Sequence, residues 1–184
     1  MQDKVRTSYL VSEFIQVFPM FSSEQCKQMI ELYDKDMYQA TSATAVGDRV
    51  LKSHRDCKVK IVKENKLLDD FLHDAINMYR KRFPFVPAVN KVDSQFLKYD
   101  VNGRFNTHVD HYAGAARTLS VSVILNDEYM GGKFQFWSDQ GDLLVKEVEP
   151  VTGDVLIFPS NFLFPHSVSP ITFGTRYAIV NWYN

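Results

Sequence analysis

The sequence predicts a mainly β domain of the sandwich or jelly-roll kind, preceded by two helices. Two observations carry that reading. Beyond residue 90 the chain breaks into short apolar runs separated by clusters of Gly, Asn and Asp, the pattern of strands and turns. Before it, two stretches carry apolar residues at helical spacing, each opened by a capping residue. A length of 184 residues suits one domain with a real core, and no Pro/Ser-rich linker divides it. Residues 1–184 are therefore expected to form a single unit, with 1–90 as helical support plus a long loop and 91–184 as the jelly-roll core.

Taken in order, 10–18 alternates loosely and reads as a first strand, which Pro19 interrupts. Ser22 with Gln25 fits a capping box, and Cys26, Met29, Ile30 and Tyr33 recur at helical spacing, so a core-facing helix follows. Residues 39–56 then turn small and polar without apolar periodicity. A loop of that length in a compact domain is a lid, a binding loop or a solvated stretch; Arg49, Lys52, His54 and Arg55 make its far end basic. The run 58–62 alternates charged and apolar residues as a half-exposed strand should. Asn65 caps a second helix to about Arg82, with Leu68, Leu72, Ala75, Ile76 and Tyr79 as its apolar stripe. Pro84 and Pro87 end it. Strands are then expected within 95–110, paired through a turn at Val101-Asn102-Gly103, and at 118–125, 133–137, 143–148, 155–158, 165–168 and 175–183. Gly131-Gly132 reads as a turn.

Bulk properties narrow the function. Lys and Arg number 21 against 22 Asp and Glu, a net charge of −1, so no global field points to nucleic acid or an anionic membrane. The start of the chain is polar and no apolar run reaches spanning length, so a cytoplasmic protein is expected. Cys26 and Cys57 have neither the number nor the spacing of a disulfide framework or zinc knuckle, and read as reduced thiols.

The chemistry centres on 95–110, which ends in His108-Val109-Asp110. In extended backbone His108 and Asp110 project the same way, which is half a metal site. His166, 56 residues after Asp110 in the strand-rich half, is the candidate third ligand. Two imidazoles and a carboxylate form the facial triad that suits non-haem Fe(II), although zinc or manganese accepts the same donors. Arg176, ten residues beyond His166, places a guanidinium in an apolar strand, where it needs an anionic partner. Arg176 shares a strand face with Ala178, Val180 and Trp182, opposite Tyr177, Ile179 and Asn181.

The order Tyr99, His108-x-Asp110, His166, Arg176 and the closing RYAIVNWY resembles the Fe(II)- and 2-oxoglutarate-dependent dioxygenases, and within them the prolyl 4-hydroxylase-like branch. The resemblance covers roughly residues 90–184. It implies a double-stranded β-helix core, cupin-like, with the two helices packed on the major sheet. It implies iron on His108, Asp110 and His166, the distal carboxylate of 2-oxoglutarate on Arg176, and Tyr99 near the cosubstrate. Arg117 and Trp182 match positions that face the peptide substrate, with a solvated charge and a core indole as their plainer roles. One departure stands out: a second cosubstrate tyrosine of some relatives falls near Ile124, which has no hydroxyl.

The implied reaction couples decarboxylation of 2-oxoglutarate to hydroxylation of a C–H bond with O₂, giving succinate and CO₂, with ascorbate as reductant. Peptidyl proline is the leading target, so a protein or peptide partner is expected. A free amino acid or other small substrate is the alternative within the same chemistry, and a non-catalytic metal-binding cupin-like module is the alternative outside it. A compact chain of this kind fits a bacterial or viral source. His111, next to Asp110, is expected to support the site or face solvent, and His73 to be exposed.

Overall fold

The computed structural model of the chain describes residues 11–42, 49–138 and 140–184. Within them the elements run β1 (Gln16–Pro19), α1 (Ser23–Tyr33), β2 (Tyr38–Gln39), β3 (Arg55–Asp56), β4 (Lys58–Ile61), α2 (Lys66–Arg82), β5 (Lys91–Tyr99) and β6 (Arg104–His108). They continue as β7 (Leu119–Ile124), β8 (Met130–Gly131), β9 (Phe134–Trp137), β10 (Leu144–Val148), β11 (Asp154–Pro159), β12 (His166–Val168), β13 (Ile171–Phe173) and β14 (Arg176–Tyr183). A seven-stranded sheet has the order β1-β11-β7-β14-β5-β4-β2, a five-stranded sheet the order β10-β9-β12-β6-β3, and β13 with β8 makes a small ribbon. Two antiparallel sheets face each other as a jelly roll, and both helices lie on the outer face of the larger.

Both helices start where side-chain chemistry can satisfy their free N–H groups. Ser22 accepts from the backbone N–H of Gln25, whose side chain accepts from the Ser22 backbone, and Asn65 accepts from the N–H of Leu68. All five stripe residues of α2 are buried. They join Cys26, Met29 and Tyr33 of α1 and strand residues such as Leu119, Val121, Val123 and Ile179 in one core between helices and sheet. A second core lies between the sheets, with Leu97, Tyr99, Phe134, Phe136, Leu156 and Phe158 among its members. The seven-stranded sheet is thus covered on both faces, which is why every residue of β7 is buried.

Several expectations need correction. The first strand is only Gln16–Pro19, because a short turn of helix precedes it. Residue 90 does not divide helices from strands: β1, β2 and β4 join the seven-stranded sheet, and β3 joins the five-stranded one. The 39–56 stretch has structure at its ends, since Ser42 bridges Arg49 and Arg55 pairs with Phe105 of β6; residues 43–48 of the candidate lid lie outside the described residues.

Nor do β5 and β6 form a hairpin ladder. The turn at 100–103, with Asn102 at φ 70° and the Gly103 N–H donating to Asp100 O at 2.7 Å, carries the chain from one sheet to the other. A turn that switches sheets needs the same residues as one that pairs strands, so composition could not tell them apart. No described helix is long and apolar enough to cross a membrane.

Candidate active site

Pairing in the five-stranded sheet brings the two histidines together. β12 runs antiparallel to β6 with His166 directly opposite His108, so residues 58 apart in sequence become cross-strand neighbours, their ring centres 4.3 Å apart. Asp110, just past the end of β6, completes the group. One ligand atom from each of the three lies within 4.8 Å of the others: His108 Nε2 is 3.6 Å from Asp110 Oδ1, and His166 Nε2 is 3.6 Å from Asp110 Oδ2. Donors on one octahedral face lie about 3 Å apart for bonds of about 2.1 Å, so the set fits a first-row divalent cation with small adjustment.

Hydrogen bonds fix which atom each ligand presents. His108 Nδ1 lies 2.8 Å from the Asn106 carbonyl oxygen and His166 Nδ1 lies 3.0 Å from that of Phe164. A carbonyl only accepts, so in both rings Nδ1 carries the proton and Nε2 keeps the lone pair that binds metal. Burial, with His108 close by, pushes the His166 pKa down to about 4, leaving a neutral imidazole at pH 7. Burial alone would raise Asp110, but His166, His108 and the Ser120 hydroxyl together hold it well below the usual carboxylate range. Ser120 Oγ donates to Asp110 Oδ2 at 2.6 Å and lies 2.7 Å from Ser160 Oγ. A hydroxyl has one proton to give, so the Ser160 hydroxyl must donate to Ser120. Phe105 stacks on His108 at 3.5 Å and 16°, and the Arg55 guanidinium sits 4.7 Å above the same Phe105 ring.

Arg176 stands at the other end of the cavity. It is 1 % exposed, faces Tyr99 across the β14–β5 ladder, and holds its guanidinium 5.4 Å from that ring centre. Its Nε–H is buried with no hydrogen-bond partner among the described residues, and it makes no ion pair with them. A charged donor left so needs an anion, and its planar fork matches a carboxylate.

Gly131 and Gly132 do more than turn the chain. Both have positive φ, and a Cβ on Gly132 would lie 3.0 Å from Arg176 Cδ and 2.5 Å from Ile171 Cδ1. Their bare backbone lets the β8–β13 ribbon close against the arginine stem.

The cavity between the sheets is lined by the triad, Arg176, Tyr99 and Trp182, and also by Ser120, Phe105 and Arg55. Trp182 lies under the Arg117 guanidinium at 3.9 Å, and Arg117 Nη1 donates to the Asp110 carbonyl oxygen at 3.2 Å. Arg117 is thus beside the triad but not part of the cavity wall. His111 is not in the ligand group; its Nδ1 rests against the Arg117 backbone and its N–H donates to Ser160 O. Ile124 is buried and does not reach the cavity. The expected basic loop end is not simply solvated, since Arg55 turns inward. Arg55 and Ser120 were missed; the one signal for the serine was a polar alternation in Leu119-Ser120-Val121-Ser122.

Residues 94–184 match the model of the 2OG-Fe(II) oxygenase superfamily. A PKHD-type hydroxylase of Acinetobacter baumannii is 38% identical over 97 residues, covering 47% of this chain and 40% of that one. Prolyl 4-hydroxylase 5 of Arabidopsis thaliana is 24% identical over 194 residues, covering 89% of this chain and 65% of that one. The chain therefore spans less than two thirds of the length of either relative. A Trichoplax adhaerens prolyl hydroxylase, solved with a hypoxia inducible factor oxygen degradation domain peptide fragment, shares the fold at a TM-score of 0.72, with 18% identity over 99% of this chain and 90% of that one. The family match runs from the strand that carries Tyr99 to the end of the strand that carries Arg176, taking in every candidate ligand between, and through these residues the chain belongs to the 2OG-Fe(II) oxygenase superfamily.

Proposed function

We propose that this chain is an Fe(II)- and 2-oxoglutarate-dependent dioxygenase that hydroxylates peptidyl proline. The observation that carries the reading is one cavity holding both a His-Asp-His donor set and a buried guanidinium that has no anion among the described residues. His108, Asp110 and His166 would hold iron, and Arg176 would receive the distal carboxylate of 2-oxoglutarate, with Tyr99 forming the wall beside it. Bound iron and cosubstrate would supply the oxidising chemistry, with O₂ consumed and succinate and CO₂ released.

The protein's own part is placement and exclusion. Backbone carbonyls aim the two Nε2 atoms, Ser120 and Ser160 orient the Asp110 carboxylate, and Phe105, Phe134 and Phe158 wall the imidazoles from water. Arg117 and Trp182 are proposed to meet the substrate, the indole facing the prolyl ring and the guanidinium its backbone. The peptide seen with the Trichoplax relative supports a polypeptide substrate here. Two free, buried cysteines suit a reducing cytoplasm, and ascorbate is the proposed reductant.

The test is succinate formation from 2-oxoglutarate with Fe(II), ascorbate and O₂, together with mass spectrometry of proline-containing peptides. Release of succinate coupled to oxygen addition on proline is the expected result. Arg176→Gln should raise the 2-oxoglutarate KM with iron content unchanged. Iron uptake with no succinate under any condition would instead favour a binding module.

A further inference from the structure

Charge in the cavity does not balance without a second anion. Its described lining carries one carboxylate, Asp110, and two guanidiniums, Arg55 and Arg176. On the dioxygenase reading above, which this inference rests on, a divalent iron and a doubly negative cosubstrate cancel each other, and Asp110 cancels Arg176. Arg55 is left over.

Among the described residues its hydrogen bonds go to neutral groups: Nη1 donates to the Thr41 carbonyl oxygen at 3.2 Å and Nη2 to Gln95 Oε1 at 3.3 Å, with the Cys57 thiol also beside it. Its Nε–H is buried with no partner among the described residues. A guanidinium does not deprotonate to escape this, so the charge persists. The cosubstrate's two charges are already spent in that balance. Arg176 lies opposite Tyr99 in the β14–β5 ladder, whereas Arg55 bonds to Gln95, opposite Val180. Those levels are four residues apart along β5. Gln95 is also on the Trp182 side of the ladder, the end assigned above to the substrate.

We infer that the substrate presents a carboxylate to Arg55. The substrate class is therefore anionic, and the acid has two sources: an Asp or Glu side chain close in sequence to the hydroxylated proline, or the α-carboxylate of a free or C-terminal proline. The stack of Arg55 on Phe105 holds the guanidinium plane in place, which suits recognition of a planar acid.

The test titrates the whole chain, loaded anaerobically with Fe(II) and 2-oxoglutarate, with two sets of probes. One is a series of proline-centred peptides bearing Glu, or its isostere Gln, at each flanking position in turn. The other is N-acetylproline against its amide. Binding is read by calorimetry and by perturbation of the visible Fe(II)–2-oxoglutarate absorption. At one position, or for the α-acid, the carboxylate form should bind about 10–100-fold tighter than the amide form. Arg55→Gln should erase that ratio, and Arg55→Lys should keep part of it. The probe set that shows the ratio names the source. Equal binding of acids and amides by the native chain overturns the inference, as does a ratio that survives in Arg55→Gln. These readings need only the native chain if a variant does not fold. Absence of the Fe(II)–2-oxoglutarate absorption would overturn the dioxygenase reading and this inference with it.

Discussion

The two faces of the seven-stranded sheet come from the same strands and carry opposite chemistry. β7 sends Leu119, Val121 and Val123 into the core under the helices, and turns Ser120 and Ser122 to the cavity. β14 does likewise, with Ile179 and Tyr183 on the helix side and Arg176 and Trp182 on the other. The period of two is what permits this, because adjacent residues answer to different layers. One face is a volume to be filled, where a side chain matters for its size. Its reverse is a set of directions, where a side chain matters for the one atom it aims.

That contrast predicts losses of different kinds on the two sides. Asp110→Ala should give the largest functional effect: no metal retained on dialysis and no succinate above the metal-free background, with the circular dichroism of a folded chain. Leu72→Ala, on the helix side, should do the reverse. Truncating that fully buried leucine should cost about 2–5 kcal/mol in denaturant unfolding, while each folded molecule still takes up one metal ion.

Ser120→Ala sits between these cases. It keeps the ligands but frees the Asp110 carboxylate, and metal affinity should fall about 10–100-fold in a competition titration. If Ser120→Ala instead lowered stability alone, the cavity side would be packing too, and the contrast would fail.

The smallest effect is one of pH. His166 has its pKa lowered from an ordinary 6.5 to about 4, so between those values the unfolded chain binds more protons than the folded one. Stability of the metal-free chain should therefore be lost as pH falls through that window. Added Mn(II) should blunt the loss, and thermal melts across the range would register both.

How much of this was legible follows from where the signal lies. The α2 stripe was readable residue by residue because a helix repeats its instruction over five turns, and the triad because ligand types and spacing are chemically rare. Arg55 was not, since a two-residue strand has no period and a basic run looks solvated whether or not one member turns in. Ser120 stayed hidden because an alternating strand reads as half exposed, and here a second sheet covers the polar half. The crossing at 100–103 was misread as a hairpin, since strand partners are decided by the whole sheet and not by the turn.

The pile of Arg55, Phe105 and His108 links a residue proposed to greet the substrate with one proposed to grip iron, ring against ring. Linkage runs in both directions with equal strength. If a bound substrate steadies that column, iron would be held more tightly by the same factor, and an iron-free chain would bind the substrate correspondingly less. Iron supply would then set not only how fast the chain works but how readily it engages its target at all.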